Sequence, residues 1–289
     1  MKITAKSLLG GAAACVVAFG VVLALAYWSA EARAVDAAAL EGFLGLDPRG
    51  SQPFANALVD IGNPAPVALT GLLVALLALA RGRPRVALFV LTLIAVTSVS
   101  SQTLKALLAH PRPQAYPVGV ADGAFPSGHA TAIMSLAIAM VVAVPSRMRP
   151  AAALLGLGLV IALSFSLLAL GGHFPSDIAG GYLLATGTAL VMLAGLRTVG
   201  ARYPDRQGRA RAALEARRWA DRIAAIGLAA GLAIGLLVAG ALTALAAVRG
   251  PQIVDYAQAN TAFFVVAGVL ALTALTLLGA LTGVLSRRA

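Results

Sequence analysis

Three short polar segments stand out in a chain that is otherwise mostly apolar. Lys105 is followed, six residues on, by Arg112-Pro113; Pro126-Ser127-Gly128-His129 comes next; and His173-Phe174-Pro175-Ser176-Asp177 closes the set. Lys105 and Arg112 supply fixed positive charge, and the planar fork of arginine suits phosphate oxygens. Ser127-Gly128-His129 opens an apolar run that reads as a helix, and a helix N-terminus offers free amides and a positive dipole end to an anion. Gly128 lets a ligand approach the backbone without a side chain in the way. Two histidines can act as nucleophile and general acid near neutral pH. Asp177 follows His173 by four residues, a spacing that brings two side chains together on a helical turn. The carboxylate can then fix the imidazole tautomer that attacks through its other nitrogen. Together these are the parts for phosphoryl transfer through a phosphohistidine.

Each part alone has an ordinary structural use. A lysine or arginine at a helix end snorkels to the lipid head groups. Pro-Ser-Gly is common turn chemistry, and Ser127 or Asp177 can cap a helix. His129, His173 and Asp177 are also suitable zinc-ligand types, but Lys105 and Arg112 beside them suit an anion and would repel a cation. What the separate readings do not explain is why all three histidines, His110, His129 and His173, fall at the same side of successive apolar runs.

Those runs are what must position the site. The chain has 289 residues, of which 60% are hydrophobic and 11% charged, against about 45–50% and about 25% in a typical soluble domain. Eight stretches are apolar enough to cross a membrane: about 8–28, 64–80, 86–104, 129–144, 151–170, 178–196, 223–248 and 262–285. The second and fourth are near the short limit. The expected fold is therefore all-α, a polytopic membrane bundle of about eight spans.

The net charge of +11 does not point to nucleic acid, because the basic residues sit in short loops between apolar runs. Alternate loops hold 17 and 5 of them, and the positive-inside rule places the richer set, with both termini, in the cytoplasm. The three polar segments then lie on the extracytoplasmic side. The first run, with Lys2 and Lys6 before it and Ser29-Ala30-Glu31-Ala32 after it, resembles a secretory signal, but it exceeds the roughly 7–15 residues of a signal core and is read as a membrane helix. The only cysteine, Cys15, cannot form an internal disulfide. Residues 197–222 form an arginine-rich cytoplasmic linker, helical from Arg209 to Arg222 and suited to anionic lipid heads. Gly227, Gly231 and Gly235 give the seventh run a small-residue face for packing within the chain. The composition, rich in Ala and Arg and poor in Lys, suggests a bacterial plasma membrane.

The three segments resemble the signature of the type 2 phosphatidic acid phosphatase (PAP2) superfamily: Lys-x6-Arg-Pro, then Pro-Ser-Gly-His, then Ser-Arg-x5-His-x3-Asp. The first two are complete here; the third reads Ser166-Leu167, five residues, His173, three residues, Asp177. The resemblance implies a six-helix membrane core within residues 1–196, with 223–289 as two additional helices. It implies His173 as nucleophile, Asp177 as its orienting group and His129 as the acid for the leaving oxygen. Lys105, Arg112, Ser127 and the Gly128 amide would bind the phosphate, and such enzymes need no metal or other cofactor. The partner it implies is a lipid phosphate: phosphatidate, phosphatidylglycerol phosphate or a polyprenyl (di)phosphate. The departure is Leu167, where the family has a phosphate-binding arginine; His110 is the nearest substitute by sequence. Two other functions remain open on the residues: a phosphotransferase using the same intermediate, and a non-catalytic phospholipid binder or transporter. Tyr116, Phe125 and Phe174 read as interfacial aromatics or as the lining of the lipid entry.

Overall fold

Apolar runs bounded by proline, glycine and capping residues become helices throughout. The computed structural model describes residues 4–45, 48–109, 120, 123–202, 211–248 and 250–286, and no strand occurs among them. The helices are α1 (Ala5–Trp28), α2 (Ala30–Leu44), α3 (Pro48–Ile61), α4 (Pro64–Ala80), α5 (Pro84–Leu107), α6 (Gly128–Ala143), α7 (Arg149–Ala169), α8 (Pro175–Arg202), α9 (Arg211–Val248), α10 (Gly250–Ala259) and α11 (Thr261–Ser286). A 3-10 turn at Ser146–Met148 precedes α7.

All eight expected spans are helices. Among the described residues six helices are long and apolar enough to cross a membrane, while α4, with 17 residues, and α6, with 16, are shorter. Large apolar side chains such as Val16, Val17, Leu73, Leu88 and Val99 are exposed on the bundle, a surface that suits lipid and not water. The protein is an integral membrane protein. Its inner helix is α6, which packs against α4, α5, α7 and α8. Almost every residue from Ala130 to Ala143 is buried, which explains an apolar composition on all faces. Several polar residues inside this core are paired with one another. The Ser135 hydroxyl donates to Thr97 Oγ1 on α5 at 3.0 Å, and Tyr182 on α8 donates to Ser164 Oγ on α7 at 2.7 Å. Hydroxyls without partners in such a setting would be costly.

The arginines of the turns do more than set orientation. Arg81, at the end of α4, is buried; its guanidinium donates to Asp221 on α9 at 2.7 Å and to the Ala143 carbonyl. Arg83 donates to the Val142 carbonyl at 3.0 Å. Arg149 reaches the Leu285 carbonyl of α11. Cations thus close the C-terminal ends of α6 and α11, where carbonyls lack intrahelical donors and the dipole is negative.

Three helices lie outside the expected spans: α2, α3 and α10. The first two follow α1 and lead into α4, with Gln52–Ile61 of α3 bent by 52° from α4. The linker also differs from expectation. Helix α8 runs on to Arg202, and α9 is continuous from Arg211 through the seventh apolar run, because that stretch contains no proline to stop it. Arg209 lies outside the described residues. Of the three glycines spaced four residues apart on α9, only Gly231 packs on α7: a Cβ there would stand 2.9 Å from Leu155, whereas Gly227 and Gly235 face open space.

Candidate active site

The end of the bundle opposite Arg81 and Arg149 gathers the polar segments. Helix α7 stops at Ala169, and Gly171, at φ +72°, reverses the chain, a conformation that glycine adopts without the penalty of a Cβ. The Gly172 amide returns to the Leu167 carbonyl at 3.1 Å. The turn delivers His173 directly to the start of α8.

There His173 Nδ1 lies 3.4 Å from Asp177 Oδ2, and the same carboxylate oxygen accepts the Phe174 amide at 2.9 Å. Asp177 is fully buried and His173 is buried. The carboxylate therefore caps the first turn of α8 and faces the imidazole at once, leaving Nε2 as the nitrogen free for chemistry. The Nδ1 separation is long for a hydrogen bond.

A second contact joins this pair to α6. The Ser127 amide donates to the Asp177 carbonyl at 2.9 Å. The approach depends on Gly181, where a Cβ would lie 2.8 Å from the Ser127 carbonyl oxygen and 3.0 Å from the Thr131 nitrogen. Ser127 is the N-cap of α6: its hydroxyl accepts the Ala130 amide at 3.3 Å. Gly128 and His129 follow in the first turn, whose amides have no partner within a helix.

His129 is half-buried. Its Nε2 lies 3.0 Å from the side-chain oxygen of Asn63, at the start of α4. Lys105, half-buried in the last turn of α5, is close enough to Asp177 and His129 for their charges to interact, as is His173 to His129. Lys105, Ser127, Gly128, His129, His173 and Asp177 are thus brought to one end of the bundle. Arg112, His110 and Tyr116 lie outside the described residues. Among the described residues no three His, Cys, Asp or Glu side chains group as a metal site.

Residues 67–200, spanning α4 to α8, match the family model described as the PAP2 superfamily. This segment is a PAP2 domain. The PAP2 match ends before α9 begins. A crystal structure from Bacillus subtilis, of the first transmembrane PAP2-type phosphatidylglycerolphosphate phosphatase, has the same fold: its TM-score is 0.55 at 17% identity, over 68% of this chain and 98% of that one. No curated protein matches the chain.

One reading of the sequence changes. Phe125 and Phe174 are not interfacial: both are buried in protein. The Phe125 ring packs on Phe19 at 5.2 Å and Tyr27 at 6.1 Å. Leu167, at the position of the PAP2 pattern's arginine, is 5% exposed and belongs to the apolar core.

Three polar side chains at this end carried no motif signal. Asp36 on α2 accepts the Ser176 amide at 3.0 Å and the Ser176 hydroxyl at 2.5 Å, so α2 clamps the first turn of α8. Gln102, one turn before Lys105, has its amide nitrogen 3.6 Å from where a Gly128 Cβ would stand. Asn63 precedes Pro64 and reads as a helix cap; it makes no capping bond and faces His129 instead.

Proposed function

We propose that this protein is a phosphatase for a membrane lipid phosphate, acting through a phosphohistidine without a metal. The observation that carries the reading is the buried His173–Asp177 pair held against the N-terminus of α6, inside the PAP2 domain. Asp177 keeps the proton on Nδ1, and His173 attacks phosphorus through Nε2. Lys105, the Gly128 amide, Ser127 and Arg112 bind the phosphoryl oxygens, where fixed donors count most as charge builds. His129 gives a proton to the leaving oxygen, and water then opens the phosphohistidine.

The substrate class is phosphatidate, phosphatidylglycerol phosphate or a polyprenyl (di)phosphate. The Bacillus subtilis relative is a phosphatidylglycerolphosphate phosphatase, which supports a lipid substrate. The site faces away from the cytoplasm and both termini lie inside, a reading supported by the arginines at the opposite end of α4, α6 and α7. Residues 223–289 are additions to a core that ends near residue 196. They pack on it chiefly through α11, which touches α2 and α7.

One observation favours a second reading. Leu167 puts an apolar side chain where the PAP2 pattern has a phosphate-binding arginine, and losing one charged donor costs a few kcal/mol of transition-state stabilisation. A phospholipid binder without turnover would tolerate it. Labelled substrate and an alkaline denaturing quench separate the two: the account expects an alkali-stable, acid-labile phosphoenzyme that His173→Ala abolishes. Binding with no phosphoenzyme would favour the non-catalytic reading, and transfer of the label to a lipid or sugar hydroxyl would make the protein a phosphotransferase.

A further inference from the structure

Asn63 sits at the break between α3 and α4, and its side-chain amide is held from both sides. Its nitrogen donates to Asp60 Oδ1 at 3.0 Å. A carboxylate only accepts, so the nitrogen must face Asp60 and the oxygen must face His129. That oxygen lies 3.0 Å from His129 Nε2 and can only accept, so Nε2 carries a proton. The imidazole is thereby held in one orientation, with Nδ1 as its other nitrogen.

The backbone beside it is fitted to the ring. Gly62 is buried, and a Cβ there would stand 2.8 Å from His129 Cδ2. The bend between α3 and α4 therefore presents a bare backbone to one part of the imidazole and an amide oxygen to another. Among the described residues, the titratable groups that face His129 are Asp60 on α3, Lys105 on α5 and His173 beyond the end of α7.

From this geometry we infer that Asn63 is a positioning residue for the acid step, holding His129 by Nε2 so that Nδ1 delivers the proton. The inference rests on the proposed role of His129. The protonated imidazole gives its Nδ1 proton to the bridging oxygen as the phosphorus–oxygen bond breaks and the lipid alcohol leaves. The phosphoryl group stays on His173, and His129 remains neutral with its Nε2–H on Asn63. In the second half, Nδ1 takes a proton from the water that attacks the phosphohistidine. Asn63 thus does for His129 what Asp177 does for His173, using a neutral oxygen that holds the ring in either protonation state.

The test compares substrates by leaving group, using the full chain in detergent. Dioctanoyl phosphatidate releases an alkoxide that needs a proton; p-nitrophenyl phosphate releases an ion that does not. General acid catalysis contributes about 10²–10⁴-fold, so His129→Ala should lose about that much kcat on phosphatidate and far less on the aryl ester. Asn63→Ala should show the same selectivity at about 10-fold or more on phosphatidate, Asn63→Asp should restore part of it, and Gly62→Ala should reproduce it by displacing the ring. With His129→Ala selective, equal losses on both substrates in Asn63→Ala, or none on either, would overturn the inference and leave the acid role of His129 intact. An unselective His129→Ala would remove the acid role and the inference together.

Discussion

The Ser127 amide and the Asp177 carbonyl are joined by a 2.9 Å hydrogen bond, which ties the N-terminus of α6 to the turn that carries His173. The N-terminus of α6 and the histidine–carboxylate pair at the start of α8 cannot shift independently. The contact exists because Gly181 lets α8 close on Ser127, with room for no side chain.

Gly181→Ala should therefore separate the two halves of the site. The added methyl meets a backbone oxygen that cannot rotate away, so kcat should fall by about 10-fold or more, since misplacement by about 1 Å can cost 10²-fold. The thermal midpoint in detergent should fall too. Gly195, on the same helix, has nothing within 4 Å of a Cβ, and Gly195→Ala should leave both unchanged.

Asp177→Asn keeps the shape of the side chain but not its charge. It should reduce kcat by about 10⁴-fold, as for a comparable substitution in a serine-protease triad, with little change in KM. A small loss would mean that the tautomer of His173 is fixed elsewhere.

Asp36 is the reach of α2 to the site. Asp36→Ala leaves the Ser176 amide and hydroxyl without their acceptor, and hydrogen bonds to a charged group are worth about 1.5–3 kcal/mol. The expected result is a lower thermal midpoint together with a lower kcat. Ser176→Ala, which keeps the amide bond to the carboxylate, should be milder in both.

Leu167 is packed as core and not as a ligand. Leu167→Met should be close to neutral, within about 1.5 kcal/mol. Leu167→Arg should lower the thermal midpoint by burying a guanidinium without a partner, and should not improve kcat/KM. A gain in kcat/KM would instead mark the position as bordering the phosphate.

The spans were legible because lipid demands long apolar runs, and all eight became helices. The helices α2, α3 and α10 were not, since each mixes polar with apolar residues and owes its place to packing, as where Tyr256 donates to the Gly42 carbonyl at 2.6 Å. His129, His173, Asp177 and Lys105 were legible as motifs. Asn63 and Asp36 were hidden for a physical reason: a lone polar residue at a helix end reads as a cap, and only the fold shows that its partner is on another helix. Phe125 misled because an aromatic near a predicted membrane boundary suggests the interface, whereas the close approach of α1 and α8 encloses it.

The central claim is metal-independent lipid dephosphorylation through His173. Its most direct test is phosphate release by the purified protein in detergent and EDTA from phosphatidate, phosphatidylglycerol phosphate and undecaprenyl diphosphate, with His173→Ala alongside. The account predicts release from at least one of these lipids and its disappearance in the variant. Release that persists in His173→Ala, or no release from any of the three, would contradict it.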